Sequence, residues 1–276
     1  MRSLQVATAQ QIDVSLWNMF SSGGDPRVRN WPLMGSPAVV LWIAAGYLYF
    51  ALHLGPRLMK NRRPVAVKPL VLTYNALTVI VSVYFSVATL QITYLRGTAV
   101  GVEGLPPYSL FCEGTDNSSN GLPFLHHLWL YMFTKIAELL DTVFFVLLKK
   151  NGHISYLHVS HHALAVLTVW LNLNNGITGQ SAMFPFLNSA VHAVMYTYYG
   201  LAALPSSLRP NLWWKKYVTL FQIVQFVTFA VHASIPLSLD CGYPRTMAWV
   251  IVTESCLFAW LFSRFYCHHY MGHRVD

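Results

Sequence analysis

Three histidines lie within five residues of one another, in the stretch from His158 to His162. Because an α-helix turns by about 100° per residue, His158, His161 and His162 occupy an arc of roughly 100° and can face one cavity. Imidazole can ligate a metal, attack a carbonyl carbon or accept a proton near neutral pH. The cluster therefore predicts a reaction site, and the residues leave open whether it is a metal centre or a nucleophile with its base.

A cation, two anions and a hydroxyl recur nearby at Lys135, Glu138, Asp141 and Thr142. At helical spacing, the last three lie within about 120° of Lys135, so one helix face carries them all. An ionisable side chain inside a membrane is costly unless it is paired, which makes this face a candidate functional site. A buried ion-pair network that only ties helices together is the alternative, in particular for Lys135 and Glu138.

A third polar group follows the helical repeat from Asn188 to Tyr199. His192, Met195, Tyr196 and Tyr199 all lie within about 80° of Asn188 around the helix. His192 stands one turn after Asn188, and this pair predicts a role in the chemistry. The two tyrosines are expected either to contact a substrate or to form an apolar wall.

Polar residues at three-residue spacing, Thr219, Gln222 and Gln225, mark a further helix. Hydrogen bonds between helices and contact with a ligand explain this spacing equally well. Other histidines are expected at an interface or in solvent and receive no role: His126, His127, His268, His269 and His273.

The composition indicates that a membrane surrounds the helices that position these residues. Of the 276 residues, 55% are hydrophobic and only 10% are charged, and the mean hydropathy is +0.43. A soluble domain carries about 25% charged residues. These values exclude a disordered chain, a fibrous repeat and a disulfide-rich secreted scaffold, and they predict an all-α polytopic membrane protein.

Seven apolar segments approach the roughly 20 residues that a bilayer-spanning helix needs. The predicted segments are 36–54, 70–95, 124–148, 157–173, 181–204, 217–238 and 246–266. Turn residues separate them, and Gly55-Pro56 is expected to end the first. The chain is interpreted as one integral membrane domain, with a non-cytosolic segment at 1–35, the seven-helix region at 36–266 and a cytosolic tail at 267–276.

Positive charges at the segment ends predict the orientation, since cytosolic loops carry the excess of Lys and Arg. The predicted cytosolic side holds Arg57, Lys60, Arg62, Arg63, Lys68, Lys149, Lys150, Arg209, Lys215, Lys216, Arg264 and Arg274. The other side holds Arg2, Arg27, Arg29, Arg96 and Arg245. The N-terminus is therefore expected outside the cytosol and the C-terminus inside it. The net charge of +8 does not indicate nucleic-acid binding, because these cations lie mostly between apolar segments.

Two of the four cysteines, Cys112 and Cys241, fall in predicted non-cytosolic loops, where a disulfide can persist. We expect them to form a bridge, with two free thiols as the alternative. The same outer loop carries Asn117-Ser118-Ser119, a glycosylation sequon in the right compartment. Occupancy of Asn117 is left open because sequons close to a membrane are often unused.

The histidine cluster resembles the HxxHH box of the very-long-chain fatty acid elongases, the ELO family. Residues 135–142 resemble that family's KxxExxDT box, 188–199 its NxxxHxxMYxYY box and 219–225 its TxxQxxQ box. Further matches lie at 25–34 and 213–217, so the resemblance runs from about residue 25 to 266. Two features depart from the family's pattern. Ser160 stands where an aromatic residue is usual, and the tail at 273–276 lacks a dilysine retrieval signal.

The resemblance implies seven transmembrane helices, of which helices 2–7 form a barrel around an acyl tunnel. It also implies a 3-oxoacyl-CoA synthase that condenses a long-chain acyl-CoA with malonyl-CoA and releases CoA and carbon dioxide, with no cofactor and no metal. Residence in the endoplasmic reticulum membrane, with a lumenal N-terminus, follows from the same resemblance. The implied partners are the lipid bilayer, the other enzymes of the elongation cycle and a second copy in a homodimer.

The implied chemistry assigns roles to the polar residues. His161 is expected to take the acyl group as an acyl-imidazole, and His192 to position or polarise the thioester. His158, His162 and Asn188 would orient the ring and stabilise the enolate, while Glu138 and Asp141 would fix a histidine tautomer. Residues expected to contact the substrate or CoA are Lys149, Lys150, Lys215, Lys216, Arg264, Lys135, Tyr196, Gln222 and Gln225.

Two other classes of protein share parts of this pattern. Membrane di-iron desaturases and hydroxylases also use HxxHH-type boxes, but they gather about eight histidine ligands, whereas this chain offers one such box and His192 within its helices. A transporter or receptor with seven helices would line a path with polar residues, and it would be expected to show broken helices or an inverted repeat. No repeat is visible in the sequence.

Overall fold

The structure is a computed structural model that describes residues 16–21 and 23–271. Arg2, His273 and Arg274 from the sequence predictions lie outside the described residues. The described part of the chain contains helices and no strand. Its α-helices are α1 Leu16–Ser21, α2 Pro37–Tyr49, α3 Gly55–Met59, α4 Lys68–Ile92, α5 Leu122–Ala137, α6 Leu140–Leu147, α7 Tyr156–Asn174, α8 Met183–Ala203, α9 Lys215–Ser238 and α10 Arg245–Tyr266.

The first predicted segment does not end at Gly55-Pro56. A π-helical turn, Phe50–Leu54, joins α2 to α3, so one continuous helix runs from Pro37 to Met59. In this turn the Gly55 N–H bonds to the Phe50 carbonyl, five residues back. The wide π turn accommodates the ring of Pro56, which has no N–H to pair. The sequence prediction was wrong here because it treated Gly-Pro as a stop.

The third predicted segment, 124–148, is divided into α5 and α6 in the middle of its charged run. Tight bonds between residues three apart replace the regular helix there: Leu139 N–H to Ile136 O at 3.2 Å and Asp141 N–H to Glu138 O at 3.1 Å. The 100° spacing therefore does not continue across the break. As a result, side chains after the break contact partners different from those of Lys135.

Contacts between the longer helices follow a closed circuit. Helix α4 packs on α5, α5 on α7, α7 on α10, α10 on α9, α9 on α8, and α8 on α4 again, while α2 lies against α7. The largest cluster of buried apolar residues includes Tyr131 of α5 and Trp170 of α7, neither of which is more than 1% exposed. This packing brings the polar faces of α5, α7 and α8 together.

Four helices in the described residues are long and apolar enough to cross a bilayer: Pro37–Met59, Lys68–Ile92, Lys215–Ser238 and Arg245–Met271. In an apolar 18-residue stretch of each helix, only 17–39% is buried inside the protein. Large side chains such as Trp42, Ile80 and Val231 face outward. Such extensive exposed apolar surface requires lipid. The chain is a membrane protein with several apolar helices. The seven-span barrel stays a prediction, because α5 and α6 are short and α7 and α8 are less apolar.

A disulfide joins the loop between α4 and α5 to the loop between α9 and α10. It links Cys112 to Cys241, the pair that the predicted topology places in one compartment. Alongside the bridge, the Thr115 N–H bonds to the Gly242 carbonyl at 3.3 Å. Asn117 of the predicted sequon lies exposed in the same loop. These contacts tie together the ends of α4, α5, α9 and α10.

The segment before α2 is fastened to the same end of the molecule by Arg27. Its guanidinium donates to the carbonyls of Asp116 at 2.8 Å and Gly176 at 3.1 Å, and it pairs with Asp25 at 2.9 Å. Burial alone would raise the pKa of the Asp25 carboxyl, but the hydrogen bonds and charge of Arg27 outweigh burial and hold that pKa below its usual value.

The two histidines at the start of α5 differ in surroundings. His126 is exposed, as predicted, and packs beside Trp31 and Trp129. His127 is buried, with Nε2 lying 2.8 Å from Oγ1 of Thr89 on α4. The prediction of an interfacial or solvated His127 was wrong, because sequence position did not show that this face of α5 packs on α4.

Candidate active site

A narrow cavity with a free volume of about 20 Å³ lies between α5, α7, α8, α9 and α10. Six of its twelve lining residues are aromatic or aliphatic, and the other six carry a polar or ionisable group. The lining residues are Lys135, His161, Ala165, Thr168, Phe184, Asn188, Phe226, Phe229, Ile251, Glu254, Ser255 and Phe258. An enclosure that combines apolar walls with polar groups is the usual form of a small-molecule site.

His161 is the histidine of the predicted cluster that lines this cavity. Its ring meets the edges or faces of Phe226, Phe258 and Phe262 at centroid distances of 5.8, 5.0 and 6.3 Å. Among the described residues, none forms a hydrogen bond with this ring. The position on the first turns of α7 and the aromatic walls hold the imidazole at the cavity surface, where it can act as a nucleophile or base.

His158 and His162 are absent from the lining of that cavity, although the His162 ring lies 5.6 Å from the His161 ring. His158 Nε2 lies 2.8 Å from Oγ1 of Thr142, which in turn contacts the Tyr47 hydroxyl at 2.9 Å. The rings of His158 and His162 lie 4.4 Å apart, on the side of α7 toward α2. Within residues 16–21 and 23–271, no three His, Cys, Asp or Glu side chains are grouped to hold a metal ion.

Four side chains from α5, its C-terminal turn and α8 form a buried network that we call the polar hub: Lys135, Glu138, Asn188 and His192. Lys135 Nζ donates to both carboxylate oxygens of Glu138, at 2.8 and 3.0 Å, and to Asn188 Oδ1 at 2.7 Å. All four are no more than 5% exposed. Such a pair persists in an apolar interior only when its charges are matched and its lone pairs are occupied.

The polar hub also fixes the orientation of the His192 ring. Its Nδ1 lies 3.1 Å from Glu138 Oε1, and its Nε2 lies 3.3 Å from Asn188 Nδ2. The Asn188 amide oxygen accepts from Lys135 and from the Tyr131 hydroxyl at 2.6 Å, so its nitrogen is the end that faces His192. These contacts assign the proton to Nδ1 and leave the Nε2 lone pair to accept.

Asp141 has a different environment from the one predicted. The Tyr196 hydroxyl donates to its Oδ2 at 2.6 Å, and no histidine is recorded as its partner. Of the two carboxylates expected to orient a histidine, Glu138 alone contacts one. Tyr196, expected at the substrate, is 0% exposed and lies outside the cavity lining. The break between α5 and α6 explains both differences, because it turns Asp141 away from Glu138.

The two glutamines of α9 also lie outside the cavity lining. Gln222 Nε2 contacts Met195 Sδ at 3.1 Å, across to α8. Gln225 is buried, and its Oε1 has no hydrogen-bond partner among the described residues. For Gln222 the structure favours the interhelical alternative over contact with a ligand.

Glu254 is a cavity residue that the sequence analysis missed. It lies on α10, and its Oε2 accepts a hydrogen bond of 2.6 Å from Thr168 Oγ1 on α7. The signal was available, because a single carboxylate inside a long apolar helix is a candidate functional residue by itself. No motif drew attention to it, so it was counted only as part of a predicted span.

The predicted cytosolic cations lie beyond the His161 end of the cavity. Burial lowers the pKa of His153, and the nearby charges of Lys150 and Lys215 lower it further, which places these two cations around one short turn. Lys215, Lys216, Lys150 and Arg264 are exposed. Lys149 differs from the other predicted CoA-binding cations, since its ammonium donates to two backbone carbonyls after α3, at 3.3 and 2.9 Å.

Known proteins resemble this chain over most of its length. The profile of the GNS1/SUR4 family (ELO) matches residues 32–275. Very long chain fatty acid elongase AAEL008004 of Aedes aegypti is 39% identical over 91% of this chain and 68% of its own length. Very long chain fatty acid elongase 7 of Rattus norvegicus is 38% identical over 93% of this chain and 89% of its own.

Very long chain fatty acid elongase 1 of Homo sapiens is 36% identical over 93% of this chain and 90% of its own length. The family profile extends across the stretch that carries the histidine cluster, the polar hub and Glu254. The family profile and these relatives together lead to one assignment. This chain belongs to the ELO (GNS1/SUR4) family.

Proposed function

We propose that this protein elongates fatty acids by condensing a long-chain acyl-CoA with malonyl-CoA, releasing CoA and carbon dioxide and forming a 3-oxoacyl-CoA. Family membership and relatives named very long chain fatty acid elongases support the substrate class. The observation that carries the chemistry is the imidazole of His161, which opens onto the cavity beside Lys135 and Asn188.

In the first half-reaction, a ring nitrogen of His161 attacks the thioester carbonyl carbon. A carbon–nitrogen bond forms, the carbon–sulfur bond breaks, and CoA leaves as the thiol with the proton of the imidazole. The product is an acyl-imidazole, a reactive acyl donor. The aromatic walls around His161 exclude water, which protects this intermediate from hydrolysis.

In the second half-reaction, the carboxylate of malonyl-CoA leaves as carbon dioxide, and its electron pair forms the enolate of acetyl-CoA. The enolate carbon attacks the acyl carbon, the carbon–nitrogen bond breaks, and the departing imidazole takes up a proton from solvent. Lys135 and Asn188 reach the same cavity as His161. Their N–H groups and positive charge stabilise the oxygen on which negative charge develops.

The polar hub acts as the support for this chemistry. Glu138 holds His192 in one tautomer, so that its Nε2 accepts from the Asn188 amide and the ring positions Asn188 at the cavity for contact with the thioester. The His162 ring packs against His161 and His158 packs against His162, and in this proposal the stack orients the His161 ring. No cofactor and no metal ion take part in this proposal.

The CoA moiety approaches from exposed cations: Lys150 and Lys215 beside His153, together with Lys216 and Arg264. Ammonium and guanidinium groups bind phosphate strongly. We place these cations in the cytosol and the disulfide end in the lumen of the endoplasmic reticulum, with α5 and α6 together as one of seven spans around an acyl tunnel. The other enzymes of the elongation cycle and a second copy of the chain are the expected partners.

Purified protein with an acyl-CoA panel tests this proposal. We expect malonyl-CoA consumption that depends on added acyl-CoA and requires no oxygen, and we expect His161→Gln to abolish it. His126→Gln is the matched control, because His126 is exposed and far from the cavity. Malonyl-CoA consumption without added acyl-CoA would contradict the condensation reaction. An activity that requires oxygen and is lost on chelation would also contradict it.

A further inference from the structure

The carboxyl group of Glu254 has no function in the mechanism described above, although it lines the same cavity as His161. Among the described residues of that lining it is the sole carboxylate. Its recorded hydrogen bond is the one from Thr168, at 2.6 Å, and no described cation lies within 4 Å of it. Thr168 is itself 6% exposed. The pair and the neighbouring Ser255 form a polar patch in the cavity wall, beside the apolar side chains of Ala165, Ile251 and Phe229.

The position of the pair along the cavity follows from the helix that carries Thr168. Thr168 lies seven residues after His161 on α7, which corresponds to about 10 Å along the helix axis. An extended chain advances about 1.2 Å per bond, as in a fully extended polypeptide. An acyl chain attached at His161 therefore passes Glu254 about eight bonds from its carbonyl carbon.

An acyl chain made only of methylene groups offers no hydrogen bond to this carboxyl group. It would cover the carboxyl and replace water with hydrocarbon, leaving Glu254 Oε1 without a hydrogen-bond partner. An aliphatic or aromatic side chain at residue 254 would avoid that loss. Other lining residues near this level, Ala165, Ile251 and Phe229, are apolar in this way.

We propose that Glu254 and Thr168 form a recognition site for a hydroxyl group on the acyl chain, located between about carbons 7 and 10. The proposal rests on the function proposed above and specifies its substrate class. The hydroxyl donates to Glu254 Oε1 while Thr168 continues to donate to Oε2. A site built around buried polar groups discriminates strongly against the analogue that leaves them unpaired.

Paired acyl-CoA substrates test this assignment. One is a saturated eighteen-carbon acyl-CoA, the second carries a hydroxyl on carbon 9, and the third carries it on carbon 17. For each, kcat/KM is measured on the natural protein, and the equilibrium Kd is measured on His161→Gln, which cannot form the acyl-imidazole. We expect the carbon-9 substrate to exceed the plain one by about tenfold or more in both quantities, with no such gain for the carbon-17 substrate.

Variants of α10 locate the cause of any preference. Glu254→Leu should remove or invert the preference, whereas Glu254→Gln, which keeps an acceptor, should retain part of it. Thr253→Leu is the matched control, because Thr253 is the exposed neighbour on the same helix. An unchanged preference in Glu254→Leu, or none in the natural protein, would overturn the proposal. If Glu254→Leu raised kcat/KM equally for all three substrates, Glu254 would only narrow the cavity and the proposal would be overturned.

The two proposals fail in different ways. Absence of turnover with every acyl-CoA would contradict the condensation reaction, yet the Kd ratio would still decide whether Glu254 recognises a hydroxyl. Turnover without a carbon-9 preference would leave condensation in place and remove the recognition site.

Discussion

Two glutamates, the buried Glu138 and the partly buried Glu254, face the interior of this protein in different ways. Glu138 has contacts with Lys135 and His192 that occupy its carboxylate from several sides. Glu254 has one hydrogen bond, from Thr168, and no counter-ion among the described residues. The carboxylate of Glu138, with several hydrogen-bond partners, lies inside the polar hub. The carboxyl group of Glu254, with one, lies at the cavity wall.

The difference indicates how the two regions work. A carboxylate whose partners all come from the protein fixes geometry, and its removal leaves a buried charge. A carboxylate with spare acceptor capacity beside a cavity can take a partner from the ligand. Stability should therefore depend on Glu138 and substrate choice on Glu254.

The largest effect is expected from Glu138→Gln. Loss of the charge leaves the Lys135 ammonium buried without its counter-ion, which costs about 3–5 kcal/mol. We expect the apparent Tm in detergent to fall markedly and turnover to be lost. Glu254→Gln is the matched control, since no cation depends on Glu254, and its Tm should stay close to that of the natural protein.

A double variant sharpens the same comparison. Lys135→Met combined with Glu138→Leu removes both charges, and such apolar replacements are often neutral in stability. The Tm should recover while turnover remains absent, because His192 has lost its acceptor. Equal destabilisation by Glu138→Gln and Glu254→Gln would remove the distinction between the two carboxylates.

A smaller effect is expected from Asn188→Ala. The amide oxygen of Asn188 accepts from Tyr131 and Lys135, so its loss leaves two buried donors with one acceptor fewer, at a cost of about 2–3 kcal/mol. The measurement is thermal unfolding, with Asn151→Ala in an exposed loop as control. A Tm equal to that control would show that the hub does not need Asn188 for stability.

The smallest effect on stability is expected from Thr168→Val. It removes the single recorded hydrogen bond of Glu254 at nearly constant side-chain volume, which costs about 1 kcal/mol or less. Thr253→Val on the exposed face of α10 serves as its control. A loss of stability as large as that of Glu138→Gln would mean that the Glu254 carboxyl is structural.

The sequence predicted the apolar helices well because their signals are local. Helices α4, α9 and α10 begin and end within three residues of the predicted limits. Gly55-Pro56 was misread because a π turn between α2 and α3 absorbs it, and such a turn has no clear sequence signal. The break at Glu138–Leu139 was missed because the 100° rule assumes a regular helix.

The candidate site was predictable in composition but not in direction. The residues of the polar hub were all named from spacing, yet only neighbouring helices decide that His161 reaches the cavity while His158 and His162 turn toward α2 and α6. Asp141 pairs with Tyr196 for the same reason. Glu254 shows the opposite case, a residue with a clear physical signal and no motif to point at it.

Covalent capture of the acyl group tests the central claim most directly. The protein is incubated with acyl-CoA alone, digested, and its peptides are weighed by mass spectrometry. The account predicts one acyl adduct on the peptide that contains His161, lost when malonyl-CoA is added. The adduct should persist in His126→Gln and be absent in His161→Gln. An adduct that survives in His161→Gln, or one that forms on Cys256 or Cys267 instead, would contradict the account.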